Sequence, residues 1–515
     1  GDATVIAWIW ARTVKCPNPA CGCHMPLVNS FVLSKKKGNE AYIEPLISGT
    51  DIRYEVRQGK TSREGTVTRS GAVCVCCGTP VDLGYVREEA KAGRMGAALM
   101  AVVAEGKKGR LYVSPNDEHI KAADVLLPDD YPNADLPHTT RDFNPPNYGM
   151  PTFASLFTPR QLTMLTTLSD LIPAMKEEIM NDALKYGMVS ENAKAYAEAV
   201  CVYLAFVVDK MTDRNSTICS WDSSRDGLRN TFTRQAIPMI WDYAEGNPFC
   251  DSSGCFSNML EWIYENVAAF PAIVGGEASQ FDAQKECGLR GVMVSTDPPY
   301  YDNIGYADLS DFFYIWMRKN LRDIYPSLFA RMQTPKDDEL IATPYRHDKD
   351  MDKAKSFFER GMLEACKNIY LCASDDIPTT IYYAYKQKDT QDNENESASS
   401  GWETMLTALI NAGFVIVGTW PMRTELSNRS LSIGKNALAS SIVLVCRKRP
   451  NDAPISSRKN FTDELKSELP SALKILQDGN IAPVDMPQSA IGLGMAVYSR
   501  YSAVNESDGT PVTVR

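Results

Sequence analysis

Hydrophobic and polar positions change rhythm three times along this chain. Through residues 1–110 they alternate in short runs, such as Ala41-Tyr42-Ile43 and Ile52-Arg53-Tyr54-Glu55-Val56, with glycine turns between them. That two-residue period predicts a β-rich segment. Residues 115–155 are rich in Pro and Asp and predict a long irregular connector. Over 159–212 the period becomes helical, with Thr158-Pro159 as a start signal and a strongly apolar helix over 195–211. Helices are expected to continue through 228–270, over 232–244 and 259–270.

From 289 to 450 strand and helix patterns alternate. Strands are expected at 292–295 and 379–385, and helices at 308–321, 352–370 and 402–412, the last closed by Gly413. Segments 414–420 and 440–447 then pair as strands across a polar loop. This is the pattern of the second half of a doubly wound α/β sheet with an antiparallel last pair. Residues 388–400 are polar and of low complexity.

Length and charge refine this picture. A chain of 515 residues has room for two or three domains. No apolar run is long enough to span a bilayer and no signal peptide opens the chain, so a cytoplasmic setting is expected. The start at Gly1 and the end at Thr513-Val514-Arg515 read as cuts through a longer protein. The net charge is −10, which argues against a uniformly basic nucleic-acid binder. The first 110 residues nevertheless carry 16 basic and 10 acidic side chains, so the acidic excess lies entirely downstream. Lys35, Lys36, Lys37, Arg53, Arg57, Lys60, Arg63 and Arg69 offer a local track for phosphates, or a solvated β surface.

Fourteen cysteines in a chain this long do not make a disulfide scaffold. Cys201, Cys372 and Cys446 sit among apolar neighbours and read as small core residues. Six others fall in two knuckles, Cys16-Pro-Asn-Pro-Ala-Cys21-Gly22 with Cys23, and Cys74-Val-Cys76-Cys77-Gly78. Each knuckle has a glycine where the turn must tighten. Cys16, Cys21, Cys74 and Cys77 supply four thiolates for a tetrahedral, structural Zn²⁺. Cys23, Cys76 and His24 are spares, and Cys76 competes with Cys74.

The densest chemistry is at Asp297-Pro298-Pro299-Tyr300, just past the strand expected at 292–295. Open α/β sheets place ligands beyond the carboxyl ends of their strands. An acid, two prolines that stiffen the backbone and an aromatic ring there suit the exocyclic amine of a flat base. The stretch resembles motif IV of DNA amino-methyltransferases. With DPPYYDNIGYADLSDFFYIWMRKNL, GWETMLTALINAGFVIVGTWPMRTELSNRS and NALASSIVLVCRKR, the chain resembles the zinc-ribbon-containing adenine-specific DNA methylases (the DUF1156-containing family). The resemblance runs from WIWARTVKCPNPACG to APVDMPQSAIGLGMAVYSRY, nearly the whole chain.

That resemblance implies a Rossmann-like class I methyltransferase, here the second half of its sheet, with an N-terminal β-rich zinc ribbon and a helical insertion. The implied divisions are a zinc-ribbon domain at 1–110, a linker and helical region at 111–235, a catalytic region at 236–450 and a C-terminal tail region at 451–515. The implied reaction is S-adenosylmethionine-dependent methylation of adenine N6 in double-stranded DNA, on a flipped base. Asp297 and the Pro298 carbonyl would accept the amine's N–H bonds, Pro299 would stiffen the turn, and Tyr300, or more weakly Tyr301, would stack on the base.

Asp282 and Ala283 resemble a cofactor contact, although Asp282 serves equally as a turn residue. Asn303, Tyr306 and Asp308 either line the pocket or cap the next helix. Phe312, Phe313, Tyr314 and Trp316 read as core. Arg423, Asn428 and Arg429 reach phosphate or face water. No Gly-rich cofactor loop of the DPFAGGGS kind is present, and by resemblance it lies upstream of Gly1. Cytosine N4 as the target, or a non-catalytic zinc-ribbon DNA-binding subunit, are the alternative readings. Partner subunits of a phage-defence or restriction-modification system are implied by the family alone.

Overall fold

The computed structural model describes residues 3–107, 109–137, 139, 142–301, 304–383, 395–423, 440–478 and 486–514. It is a mixed α/β protein with several sheets, and it divides into two compact units. The first comprises 1–277 and 306–336, the second 278–305 and 337–515. No helix among the described residues is long and apolar enough to cross a membrane.

The first unit is built on the long strand Val5–Lys15. It pairs antiparallel with Gly96–Gly106 on one side and with Asp242–Gly246 and His24–Leu27 on the other. Gly109–Val113 extends the sheet beyond Gly96–Gly106. Breaks in register between Val5 and Ala7 and between Ile9 and Trp10 interrupt the two-residue alternation, as bulges do. A separate meander, Val32–Ser34, Ala41–Ser48 and Asp51–Gln58, carries the alternation read at 41–43 and 52–56. Ile6, Ile9, Phe31, Ile43 and Val103 form the core between these sheets.

Two long helices follow, Pro159–Lys185 and Ser190–Thr212. The first starts where Thr158-Pro159 predicts it. The Thr158 hydroxyl accepts from the Gln161 amide at 3.2 Å, and the Gln161 side chain accepts from the Thr158 amide at 3.0 Å. This reciprocal box satisfies two amides that would otherwise lack partners. Helix Tyr306–Leu321 packs against this pair. Phe312 and Trp316 are fully buried there against Phe157, as expected of core aromatics.

One expected helix is not formed. Residues 232–244 run as irregular chain into the strand Asp242–Gly246. Pro238 interrupts any helix there, and the segment is captured as a strand opposite Ala7–Ala11. Arg160 fixes it from the helix side. Its guanidinium donates to both Glu245 oxygens, at 2.9 and 2.5 Å, and lies 4.6 Å from the Trp10 ring. This pairing places 236–277 with the first unit, so the division expected at 235 falls inside a compact body.

In the second unit, Ser295–Thr296 pairs in parallel with Thr379–Tyr383. Phe414–Arg423 and Ser440–Lys448 form the expected antiparallel pair. The later strand of that pair is the one that joins the sheet, antiparallel to Thr379–Tyr383. Helices Met351–Cys372 and Asn395–Asn411 accompany it, and their buried side chains Phe358, Met362, Trp402, Met405 and Leu409 meet Ile381, Ile416 and Leu444. Gly413 closes the second helix with a φ of 100°, a left-handed value that favours glycine. Beyond the sheet, Arg458–Asp478 and Met486–Ser499 are helices that the composition of 451–515 did not reveal, and Ile455–Ser457 pairs with Ala503–Asn505.

Candidate functional site: a cysteine centre and an acidic strand end

Both cysteine knuckles are shaped by their own backbone. After Cys16, the Asn18 carbonyl accepts from the amides of Cys21 and Gly22, each at 3.0 Å, and Gly22 turns at a φ of 56°. In the second knuckle the Cys74 carbonyl accepts from Gly78 at 2.9 Å, with Gly78 at a φ of 72°. The strand pairing of Lys15 with His24 and of Val73 with Pro80 holds each loop at its base.

The two loops face one another. The sulfurs of Cys16, Cys21, Cys74 and Cys77 all lie within 4.8 Å of each other. Cys16 to Cys77 is 3.7 Å and Cys21 to Cys74 is 3.9 Å. A tetrahedron with metal–sulfur bonds of about 2.3 Å has edges of about 3.8 Å, so the set has the dimensions of a four-thiolate site. None of the described cysteines is in a disulfide. Burial pushes the Cys16 thiol up to about 12, whereas contact with the Thr79 hydroxyl at 3.1 Å brings the exposed Cys77 down to about 6. A divalent cation would draw thiolates from the whole set and release their protons. The cysteines read as spares, Cys23 and Cys76, belong to the same cluster: with Cys74 they form a second group of sulfurs within 4.8 Å. His24 is exposed on the strand beside them.

Asp297 is the first residue past the short strand Ser295–Thr296 and is exposed. The strand starts three residues later than expected, and Val292 is held only as an isolated bridge to Ala373. The Tyr300 hydroxyl donates to Asp297 Oδ1 at 3.1 Å. The Tyr300 ring is half-buried, edge-on to Tyr383 with centroids 5.3 Å apart. Pro298 is half-buried and Pro299 exposed. Tyr301 points the other way. It is buried against Phe358, and its carbonyl accepts from the Ala342 amide at 2.8 Å, so it is a core residue and no platform for a base.

The structure places Asp282 in a turn of its own. Its Oδ1 accepts from the Gln284 amide at 2.9 Å and its Oδ2 pairs with Lys285 at 3.3 Å. Burial raises the Asp282 carboxyl, but these partners outweigh it and leave the group below its ordinary value. Ala283 is exposed and its carbonyl accepts from Asn368 at 3.2 Å. Tyr306 and Asp308 begin a helix of the first unit, Asp308 buried and Tyr306 exposed. Asn303, Asn428 and Arg429 lie outside the described residues, and Arg423 ends the strand Phe414–Arg423.

The basic side chains of 35–69 are all exposed. Three are tied to acids, Lys36 to Asp226 at 3.2 Å, Arg57 to Glu55 at 2.9 Å and Arg63 to Glu44 at 2.6 Å. Lys35 and Lys60 line a cavity of about 370 Å³ together with Tyr42. No protein-family model, curated protein or solved structure matches the chain.

Proposed function

We propose that these residues form the base-binding half and the metal ribbon of a DNA methyltransferase that modifies adenine N6. The observation that carries the proposal is the position of Asp297. It stands exposed at the carboxyl end of a strand paired in parallel with Thr379–Tyr383, in a sheet whose final strand is inserted antiparallel between its predecessors. That order suits the second half of a Rossmann-like class I methyltransferase sheet, and ligands of such open sheets gather at that edge.

Adenine N6 is a weak nucleophile because its lone pair is delocalised into the ring. Two acceptors fixed on its N–H bonds localise that pair, a gain that comes from positioning and preset electrostatics. In this proposal the acceptors are the Asp297 carboxylate and the Pro298 carbonyl. The Tyr300 hydroxyl limits rotation of the carboxylate, and one face of its ring receives the flipped base. S-adenosylmethionine, when bound, supplies the methyl group. Asp282 and Ala283 are the contacts to it that the family resemblance implies. Lys35 and Lys60 are the proposed phosphate contacts.

The metal of the proposal is Zn²⁺, held by Cys16, Cys21, Cys74 and Cys77. Four protein thiolates leave no position for a reactive water, so its part is structural. The test is methyl transfer from labelled S-adenosylmethionine to DNA by the protein as encoded. Incorporation that vanishes in Asp297→Ala supports the proposal, and mass spectrometry of the nucleosides separates methyladenine from methylcytosine. Incorporation unchanged in Asp297→Ala refutes the assigned site, and none in the parent protein with DNA binding intact refutes the activity and leaves a binding subunit.

A further inference from the structure

Four cysteines suffice for one ion, yet six converge here. The two additional thiols sit against the proposed ligands. Cys23 Sγ is 3.4 Å from Cys74 Sγ and 3.5 Å from Cys21 Sγ. Cys76 completes a group with Cys23 and Cys74 whose sulfurs are all within 4.8 Å of each other. Cys74 thus belongs to both groups, and Cys21 touches both, since it lies 3.9 Å from Cys74 and 3.5 Å from Cys23.

We propose that this cluster holds two divalent metal ions, with Cys21 and Cys74 as bridging thiolates. Cys16 and Cys77 are the terminal ligands of one ion, Cys23 and Cys76 those of the other. Each ion then has four sulfurs, the closed tetrahedral set preferred by Zn²⁺ and other thiophilic d¹⁰ cations. The proposal rests on the first ion assigned above and adds a second to it.

Geometry supports the pairing. The four measured sulfur–sulfur distances run from 3.4 to 3.9 Å, on either side of the edge of about 3.8 Å that metal–sulfur bonds of about 2.3 Å require. All are far beyond a disulfide bond of about 2.05 Å. Cys21–Cys23, at 3.5 Å, and Cys21–Cys76 are the two edges that lie outside both groups; the second of these, between two half-buried side chains, closes when the ion binds.

The surroundings support it too. Cys16, Cys23 and Cys74 are buried among Val14, Met25, Leu27, Val67, Val81 and Trp241. Each thiolate added to such an apolar shell without a cation beside it is costly. Two divalent cations neutralise four of six thiolates, and one neutralises only two of four. In both cases the net charge is −2, so the second ion lets the two extra thiolates ionise without adding charge to the apolar shell. Cys23 and Cys76 stand two residues after and one residue before a ligand of the first ion, so no new segment of chain is needed.

The experiment is metal stoichiometry on the purified full chain, reconstituted with Zn²⁺ or Co²⁺, in the parent and in a Cys23→Ser/Cys76→Ser double variant. Native mass spectrometry should show two ions in the parent and one in the double variant. With Co²⁺, the second equivalent should weaken the paramagnetic resonance signal of the first, because bridging sulfur couples the two spins. That reading needs only the parent chain and stands even if the double variant does not fold. One ion in the parent, or two uncoupled ions, overturns the proposal while leaving the first centre in place. No ion in either protein overturns both. A parent mass lower by about 2 Da, mapped to a Cys23–Cys76 disulfide, also overturns it.

Discussion

The Tyr300 phenol donates to the Asp297 carboxylate across 3.1 Å, within a turn of four residues that contains two prolines. The acid is exposed yet orientationally restrained. Three substitutions separate its roles. Asp297→Asn removes the charge and one acceptor geometry, and methyl transfer should fall by about 10²–10³-fold, the usual cost of losing a preset electrostatic contact. Tyr300→Phe keeps the ring and should lower the rate only a few-fold. Tyr300→Ala also loses the stacking face, and DNA carrying the target base should bind more weakly by about 1–3 kcal/mol. Equal effects of Phe and Ala at 300 would mean that the ring contacts no base.

Removal of metal should act on one unit and spare the other. The cysteine cluster lies wholly in the first unit, at the base of strands Val5–Lys15 and His24–Leu27. Chelation should therefore expose amides of 14–27 and 72–81 to hydrogen exchange while the sheet of 379–383 and 440–448 keeps its protection. Because ligation displaces thiol protons, less chelator should be needed as pH falls. Cys77→Ser should lower the stability of the first unit, read as an earlier thermal transition, and uniform loss of protection in both units would contradict this division.

Arg160 and Glu245 form a two-pronged ion pair in which the acid is buried and the arginine about a quarter exposed. Removing one partner strands the other charge. Arg160→Ala should cost about 2–4 kcal/mol, below the upper range for fully buried pairs because water reaches the guanidinium. It also loses the contact with the Trp10 ring. An Arg160→Leu/Glu245→Leu double variant should be less destabilised than either single truncation, which denaturant titration of the three proteins can check.

Asp242 provides a pH signature. Burial pushes its carboxyl up to about 6, and the donors from the Asn29 amide and side chain, at 2.8 and 2.7 Å, offset this only in part. The folded protein thus takes up this proton more readily than the unfolded chain. The contribution of Asp242 is full below the unfolded value near 4 and is lost as pH rises through 6. The stability of the parent relative to Asp242→Asn should decline over that window by about 2–3 kcal/mol, measured by denaturation at several pH values. A difference independent of pH would show that the carboxyl titrates normally.

Local rules explain what the sequence revealed. Thr158-Pro159 announces its helix because capping is decided within four residues. Gly22 and Gly78 mark the knuckles because each turn requires a left-handed backbone. Long-range pairing explains what was hidden. Residues 242–246 become a strand only because Val5–Lys15, more than 200 residues away, offers an edge. The two knuckles were expected to meet on one ion, but nothing near Cys23 or Cys76 tells that their sulfurs also gather around Cys74, so both thiols read as surplus. Tyr300 and Tyr301 are adjacent and chemically alike, and only the packing of Phe358 and Tyr383 decides which ring enters the core. The helices Arg458–Asp478 and Met486–Ser499 were obscured by Pro470, Gly492 and Gly494, all poor helix formers.

The inserted strand also dictates an order of assembly. Phe414–Arg423 reaches the sheet only through Ser440–Lys448, which is synthesised after it. On the ribosome, the earlier strand therefore emerges with no edge to join and must wait, its apolar face exposed, until the later one arrives. A chain cut short between residues 423 and 440 should accumulate as an aggregation-prone species, whereas one ending past residue 448 can complete the hairpin before docking it.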